Sequence, residues 1–251
     1  MASELKVFLH DHPLSSYARE IRIALREKGI PFTAETPKDL VSGNAIKGLD
    51  SINPRKEVPA LVDGDFKVFD STVILGYLED KYPEKKLLPA GPRERAEAKM
   101  IEEMCDTHYE AINWANGEIV WMGRAEGKLA DTLHKQIRAQ AGTIQDWLAE
   151  RLGGKDYFNG NMFGYADICV APILNRAVEN GYGPPEGSPL QKWHASIKQR
   201  PAVAQTFAEF EEVAKKMSGM RDAFQSGAFK REYHDHRSEF LVKYVPFAIT
   251  F

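Results

Sequence analysis

Pro13-Leu14-Ser15-Ser16-Tyr17-Ala18-Arg19-Glu20-Ile21-Arg22-Ile23-Ala24-Leu25 is where a short apolar strand, Lys6 to Leu9, hands over to a helix. Asp11-His12-Pro13 breaks the strand. Tyr17, Ile21, Ala24, Leu25 and Lys28 then recur at the spacing of one helical face. Arg26 and Lys28 place cations in the last turn, Gly29 closes it, and Pro31 bars continuation. One of the paired serines therefore stands at a helix N-terminus, beside backbone N–H groups that lack intrahelical acceptors and favour an anion. Alone, that is an ordinary N-cap; the motifs downstream give it a further meaning.

Working outward, Pro31 to Glu35 offers a second strand, and Leu40 to Ser51, interrupted by Gly43, Asn44 and Gly48, reads as a loose helix or loop. Val58-Pro59-Ala60-Leu61-Val62 and Phe66-Lys67-Val68-Phe69 flank Asp63-Gly64-Asp65, the chemistry of a hairpin turn. Pro59 cannot donate to a ladder, so it marks an edge or a special geometry, a cis bond included. Asp70-Ser71-Thr72 then precedes Val73, Ile74, Tyr77 and Leu78, an amphipathic helix ending near Tyr82-Pro83 with Ser71 as its expected N-cap. Short connections bring successive elements together. Two helix N-termini and a proline-led strand can thus converge on one cleft.

Ser15-Ser16 with Arg19 to Leu25, then Asn53-Pro54-Arg55-Lys56-Glu57-Val58-Pro59-Ala60-Leu61, then Asp70-Ser71, resemble in order and spacing the thioredoxin-like domain of the glutathione transferase superfamily. The resemblance runs on to about residue 220. It implies an α/β thioredoxin-like domain joined to an all-α helical bundle. It also implies that Ser15, with Ser16 as fallback, donates a hydrogen bond to the glutathione sulfur, as in the serine-type members. A thiol near pKa 8.5 needs about 2.7 kcal/mol to be lowered by ~2 units, which one charge-assisted hydrogen bond and a helix dipole supply. By the same resemblance Val58 pairs its backbone with the cysteinyl unit, Pro59 is the cis-proline, and Asp70 and Ser71 receive the γ-glutamyl end. Asn44 and Lys56 are partners for the glycyl end. Glu57 departs from the Gln or Lys that relatives often carry there, and an acid adds no attraction for an anionic tripeptide.

The domains expected are 1–83 for glutathione, 84–92 as a proline-bearing linker, 93–225 as the helical domain and 226–251 as an extension. Leu129, Leu133, Ile137, Ile144, Leu148 and Leu152 trace an apolar stripe that Gly153-Gly154 ends. Gly164 to Ile168 opens a buried helix in which Asp167 forms half of a capping box. Tyr109, Trp114, Trp121 and Met122 are candidates for an apolar electrophile wall, or else core; Thr107 and His108 are candidates to hold a water near the sulfur. His234-Asp235-His236 lacks further ligands at a metal-site spacing, and no metal is expected.

The chain has 251 residues, a net charge of −3 and two distant cysteines, Cys105 and Cys169. These values argue against nucleic acid as a partner and against a disulfide scaffold, and favour a reducing cytosol. No apolar run approaches the ~20 residues of a membrane span. The expected activity is attack of the glutathione thiolate, glutathione being the co-substrate, on a small hydrophobic electrophile by a homodimer. The alternatives are a glutathione-dependent isomerase or dehalogenase, or a non-catalytic binding protein of the same fold.

Overall fold

The computed structural model describes residues 7–37 and 49–216, with Gly219, Asp222, Ala223 and Ser226. Strand β1 (Val7–His10) leads into helix α1 (Ser16–Lys28) and strand β2 (Phe32–Glu35); strands β3 (Ala60–Asp63) and β4 (Phe66–Phe69) precede helix α2 (Ser71–Lys81). The sheet order is β2-β1-β3-β4, with β1 parallel to β2 and antiparallel to β3, and β3 antiparallel to β4. This is the thioredoxin-like arrangement the sequence implied. Val7 and Leu9 alternate inward and are buried against Ile21, Ala24 and Leu25 of α1. Gly29, in the left-handed region at φ 71°, ends α1 as expected.

Helices α3 (Pro92–Glu103), α4 (Glu110–Val120), α5 (Gly127–Leu152), α6 (Tyr165–Glu179), α7 (Pro189–Ile197) and α8 (Pro201–Lys216) form the second unit. Between α3 and α4 the chain winds as a π-helical segment over Met104–Tyr109, a widened turn that joins the two helices. Helix α6 is buried from Tyr165 through Ala177 and packs against α1, so one continuous core runs through both units. The α5 stripe buries Ile137, Ile144, Leu148 and Leu152, and Leu133 packs against the same core, whereas Leu129 stands 59% exposed.

The proline-bearing segment between the units is pinned rather than loose. The Glu79 carboxylate accepts the N–H groups of Leu87 and Leu88 at 3.0–3.1 Å, and Lys28 Nζ lies 2.7 Å from the same carboxylate. Lys28 also donates to the carbonyls of Tyr82 and Lys85 at 3.0 and 2.9 Å, so its ammonium is fully used although the side chain is almost buried. Asn44, the loop around it, Lys6, the His234-Asp235-His236 run and most of the C-terminal extension lie outside the described residues.

Candidate functional site

A cleft of about 540 Å³ opens where the two units meet. Asn53, Arg55, Glu57, Val58, Pro59, Asp70, Ser71 and Thr72 form one wall, with Tyr17 of α1 at its foot. Glu103, Asp106 and Thr107 face them from the end of α3 and the π-helical segment. The first wall is shaped by local chemistry. Asn53 Oδ1 accepts the Arg55 N–H at 2.9 Å while its Nδ2 donates to the Glu57 carbonyl at 2.8 Å, folding 53–57 into a compact Asx-type turn. The Val58–Pro59 bond is cis, the geometry named for Pro59 from the sequence.

The hairpin leads straight from β4 to the start of α2. Asp70, not Ser71, is the N-cap there, and Ser71 is the first helical residue. This corrects the expected cap: Asp70 takes the non-helical conformation at φ 78° and makes no side-chain cap bond. A non-glycine residue at positive φ is strained and persists where its surroundings over-determine it. The Asp70 carboxylate instead reaches Arg55 Nη2 at 2.8 Å. Arg55 also lies 3.6 Å from Glu57 and 5.4 Å from the Phe69 ring centroid. Glu57 is thus paired to Arg55, the one cation lining the cleft among the described residues. Lys56, with its backbone at φ 54°, is not part of the lining.

The two serines part company. Ser15 is the N-cap of α1, half-buried, and its Oγ accepts the Ala18 N–H at 3.2 Å. Ser16 is fully buried and accepts from Arg19 Nη2 at 3.1 Å, so it faces the core. Neither is among the lining residues; Tyr17 is, and its hydroxyl crosses to the opposite wall to donate to the Asp106 carbonyl at 2.7 Å.

Of the proposed apolar wall, Tyr109 is fully buried core, its hydroxyl accepting from Gln145 Nε2 at 2.6 Å. Trp114, Trp121 and Met122 are half-buried and lie off the cleft lining. Tyr109 turns inward because the π-helical turn shifts the register of everything after it. Thr107 does line the cleft, bonded to the Glu103 carbonyl at 2.6 Å and to His108 Nδ1 at 2.7 Å. Burial, with Glu102 close by, pushes the Asp106 carboxyl up to about 8. Tyr17, Arg55 and Asp106 were missed as site residues: Tyr17 read only as part of the helical stripe, Arg55 lay inside the 53–61 motif without a role of its own, and no local motif marks Asp106.

Glutathione S-transferase family models match the chain in both units: the N-terminal domain over residues 9–86 and the C-terminal domain over residues 78–201. A wheat (Triticum aestivum) glutathione S-transferase is 30% identical over 69% of this chain and 79% of its own length.

The chain belongs to the glutathione S-transferase family.

Among the solved transferase structures, one from Methylobacterium radiotolerans in complex with glutathione sulfonate superposes with a TM-score of 0.67 at 26% identity, covering 80% of this chain and 94% of that one. The family's reach is wider than its name: a stringent starvation protein A homolog of Coxiella burnetii is 25% identical over 84% of this chain and 96% of its own length. Among the described residues no helix is long and apolar enough to cross a membrane, and no group of three or more His, Cys, Asp or Glu side chains is placed to hold a metal ion.

Proposed function

We propose that the chain is a glutathione transferase that holds the tripeptide along the Val58–Ser71 wall and attacks a small apolar electrophile with its thiolate. The observation that carries this is the gathering, on one face of one cleft, of Val58, cis-Pro59, Asp70 and Ser71. Val58 sits just ahead of the β3 ladder, where an extended peptide can add as a strand. Ser71 opens α2, so the γ-glutamyl carboxylate meets backbone N–H groups and a hydroxyl, and Asp70 complements the α-amino group. Arg55, 2.8 Å from Asp70, stands at the γ-glutamyl end, and Asn44 and Lys56 are the partners proposed for the glycyl end.

Ser15 is the thiolate's donor in this reading. Its Oγ already accepts the Ala18 N–H, which leaves its own hydrogen free to donate outward and polarises it for that task. The Ser15 hydrogen bond and the helix dipole of α1 then keep the sulfur negative without a buried base. The tripeptide domain is 1–83, the linker 84–92 and the helical domain 93–225; two copies pair as a homodimer, working in the cytoplasm in detoxification of electrophiles.

Retention on immobilised glutathione followed by conjugation of a generic aryl chloride tests the proposal. Turnover lost in Ser15→Ala and kept in Ser16→Ala is the expected result. The likeness to the Coxiella protein favours one second reading, a binding protein without turnover; retention with no conjugation, indifferent to Ser15→Ala, would select it.

A further inference from the structure

Glu20 lies on α1 directly behind the cleft and is completely buried. Neither of its carboxyl oxygens has a protein donor, and neither does Oδ1 of Asp106. Tyr17, three residues before Glu20 on α1, donates to the Asp106 carbonyl at 2.7 Å, which brings this part of α1 against Asp106; the two carboxyls neighbour each other, and Asp106 lines the cleft. Two carboxylates in contact away from water cannot both be ionised, and an unpaired buried carboxylate is strongly disfavoured. A proton between them joins Asp106 Oδ1 to one of the two orphaned Glu20 oxygens.

We propose that Glu20 and Asp106 form a proton-sharing carboxyl pair that makes Asp106 the proton donor of the cleft, suited to additions across conjugated carbonyl compounds such as enones and quinones. The proposal rests on the transferase reading above and names the substrate class that reading left open.

The surroundings favour retention of the proton. Glu102 of α3 faces the pair and is held by Lys99 and by the Tyr165 hydroxyl of α6 at 2.7 Å. Glu110 of α4 also faces it and is ion-paired with Arg176 of α6. Asp70 adds a negative charge from the far wall, and the thiols of Cys105 and Cys169 beside the pair are themselves pushed up by burial and stay neutral. Arg19, the neighbouring cation on α1, points instead into Ser16 and the Phe210 ring. Burial and these acids push Asp106 up to about 8 and hold the Glu20 carboxyl well above its usual range. Near neutral pH both carboxyls therefore hold a proton: that of Glu20 lies in the hydrogen bond to Asp106, and that of Asp106 is the one the cleft can use.

The step balances without a further reagent. The thiol proton passes to water as the sulfur binds as thiolate. The thiolate lone pair forms the S–C bond at the β-carbon, the π electrons move to the α-carbon and carbonyl oxygen, and Asp106 gives its proton to that enolate. The Asp106 carboxylate, hydrogen-bonded by protonated Glu20, then takes a proton from water. Substitution on an aryl chloride expels chloride and needs no such donor, which is what separates the two reactions.

The experiment has two arms on the full chain. In the first, the infrared difference spectrum of wild type minus Glu20→Gln at pH 7 is expected to show a protonated-carboxyl stretch; a carboxylate band in its place overturns the pair. In the second, kcat/KM is followed with an enone and with an aryl chloride. Asp106→Asn is expected to lose about 10²-fold more on the enone than on the aryl chloride, the range of general acid catalysis. The wild-type enone profile should fall above about pH 8 where the aryl chloride profile does not. Equal losses on both substrates, or parallel profiles, overturn the donor role. A wild type that turns over neither substrate refutes the transferase reading and the donor role together, while the infrared band still reports on the pair.

Discussion

The Tyr17 hydroxyl donates to the main-chain carbonyl of Asp106 at 2.7 Å, tying the first helix of one unit to the π-helical turn of the other across the floor of the cleft. Burial, with Glu110 and Asp106 nearby, pushes the Tyr17 hydroxyl well above its usual range, so it remains a donor at any working pH. The cleft's two walls are thus held in register by a neutral hydrogen bond.

Removing that hydroxyl alone is therefore informative. Tyr17→Phe should cost about 1 kcal/mol in urea unfolding, the net worth of one hydrogen bond. Because Tyr17 also lines the cleft, KM for glutathione should rise while kcat changes less. An unchanged KM would show that the walls keep their spacing without this tie.

The paired serines should separate by readout. Ser15→Ala forfeits the cap to Ala18, about 1 kcal/mol, and should return the titration of bound glutathione towards the free thiol value of about 8.5. Ser16→Ala should leave that titration in place, yet cost about 1–3 kcal/mol in stability, because Arg19 Nη2 loses its acceptor where Nε and Nη1 already have none. Thiolate absorbance against pH, paired with denaturant melts, checks both. The reverse pattern would move the thiolate contact to Ser16.

Asp167 should be among the costliest single positions in the helical unit. It accepts from the N–H groups of Phe158 and Gly164 at 3.1 and 2.9 Å and from Trp193 Nε1 at 2.9 Å, all buried. Asp167→Ala orphans three donors at once and should remove more than about 3 kcal/mol by chemical denaturation, with Asp167→Asn intermediate. A loss near 1 kcal/mol would mean water replaces the carboxylate.

Acid should weaken the packing of α7 against α6 through His194. Its Nε2–H donates to Asn175 Oδ1 at 3.1 Å, and burial, with Lys198 nearby, lowers it to about 4. The unfolded chain binds this proton near pH 6.5 and the folded chain does not, so His194 contributes least to stability as pH falls between those values. The stability gap between wild type and His194→Gln should shift against wild type by about 2 kcal/mol from pH 7 to pH 5. Using the gap removes the opposing trend from Asp106, whose raised carboxyl favours the folded state on acidification. A gap that does not move with pH would show His194 protonated in place.

Elements whose cause is local were legible from residues alone. The α1 boundaries follow from Ser15 at one end and Gly29 at the other, and the hairpin from Gly64, at φ 64°, between two alternating strands. The Asp167 half-box was equally readable, since Gly164 N–H to Asp167 spans only three residues. The cap of α2 was misplaced by one residue, because Asp70 adopts φ 78° with ψ 129°, outside the left-handed helical region that aspartate favours among positive-φ conformations.

The sequence by itself determined the strand and helix order, the serine at a helix start and the Val58-Pro59 and Asp70-Ser71 pairs, because each is set by contacts within a few residues. Only the tertiary structure decided that Ser16 turns to the core, that Arg55 rather than Lys56 lines the cleft, and that Tyr109 packs inward. It alone brought Glu20 against Asp106, 86 positions apart in the chain. Which way a side chain points depends on the twist of the π-helical turn and on the docking of α1 against α6, and pairings between distant residues leave no periodic trace in the chain.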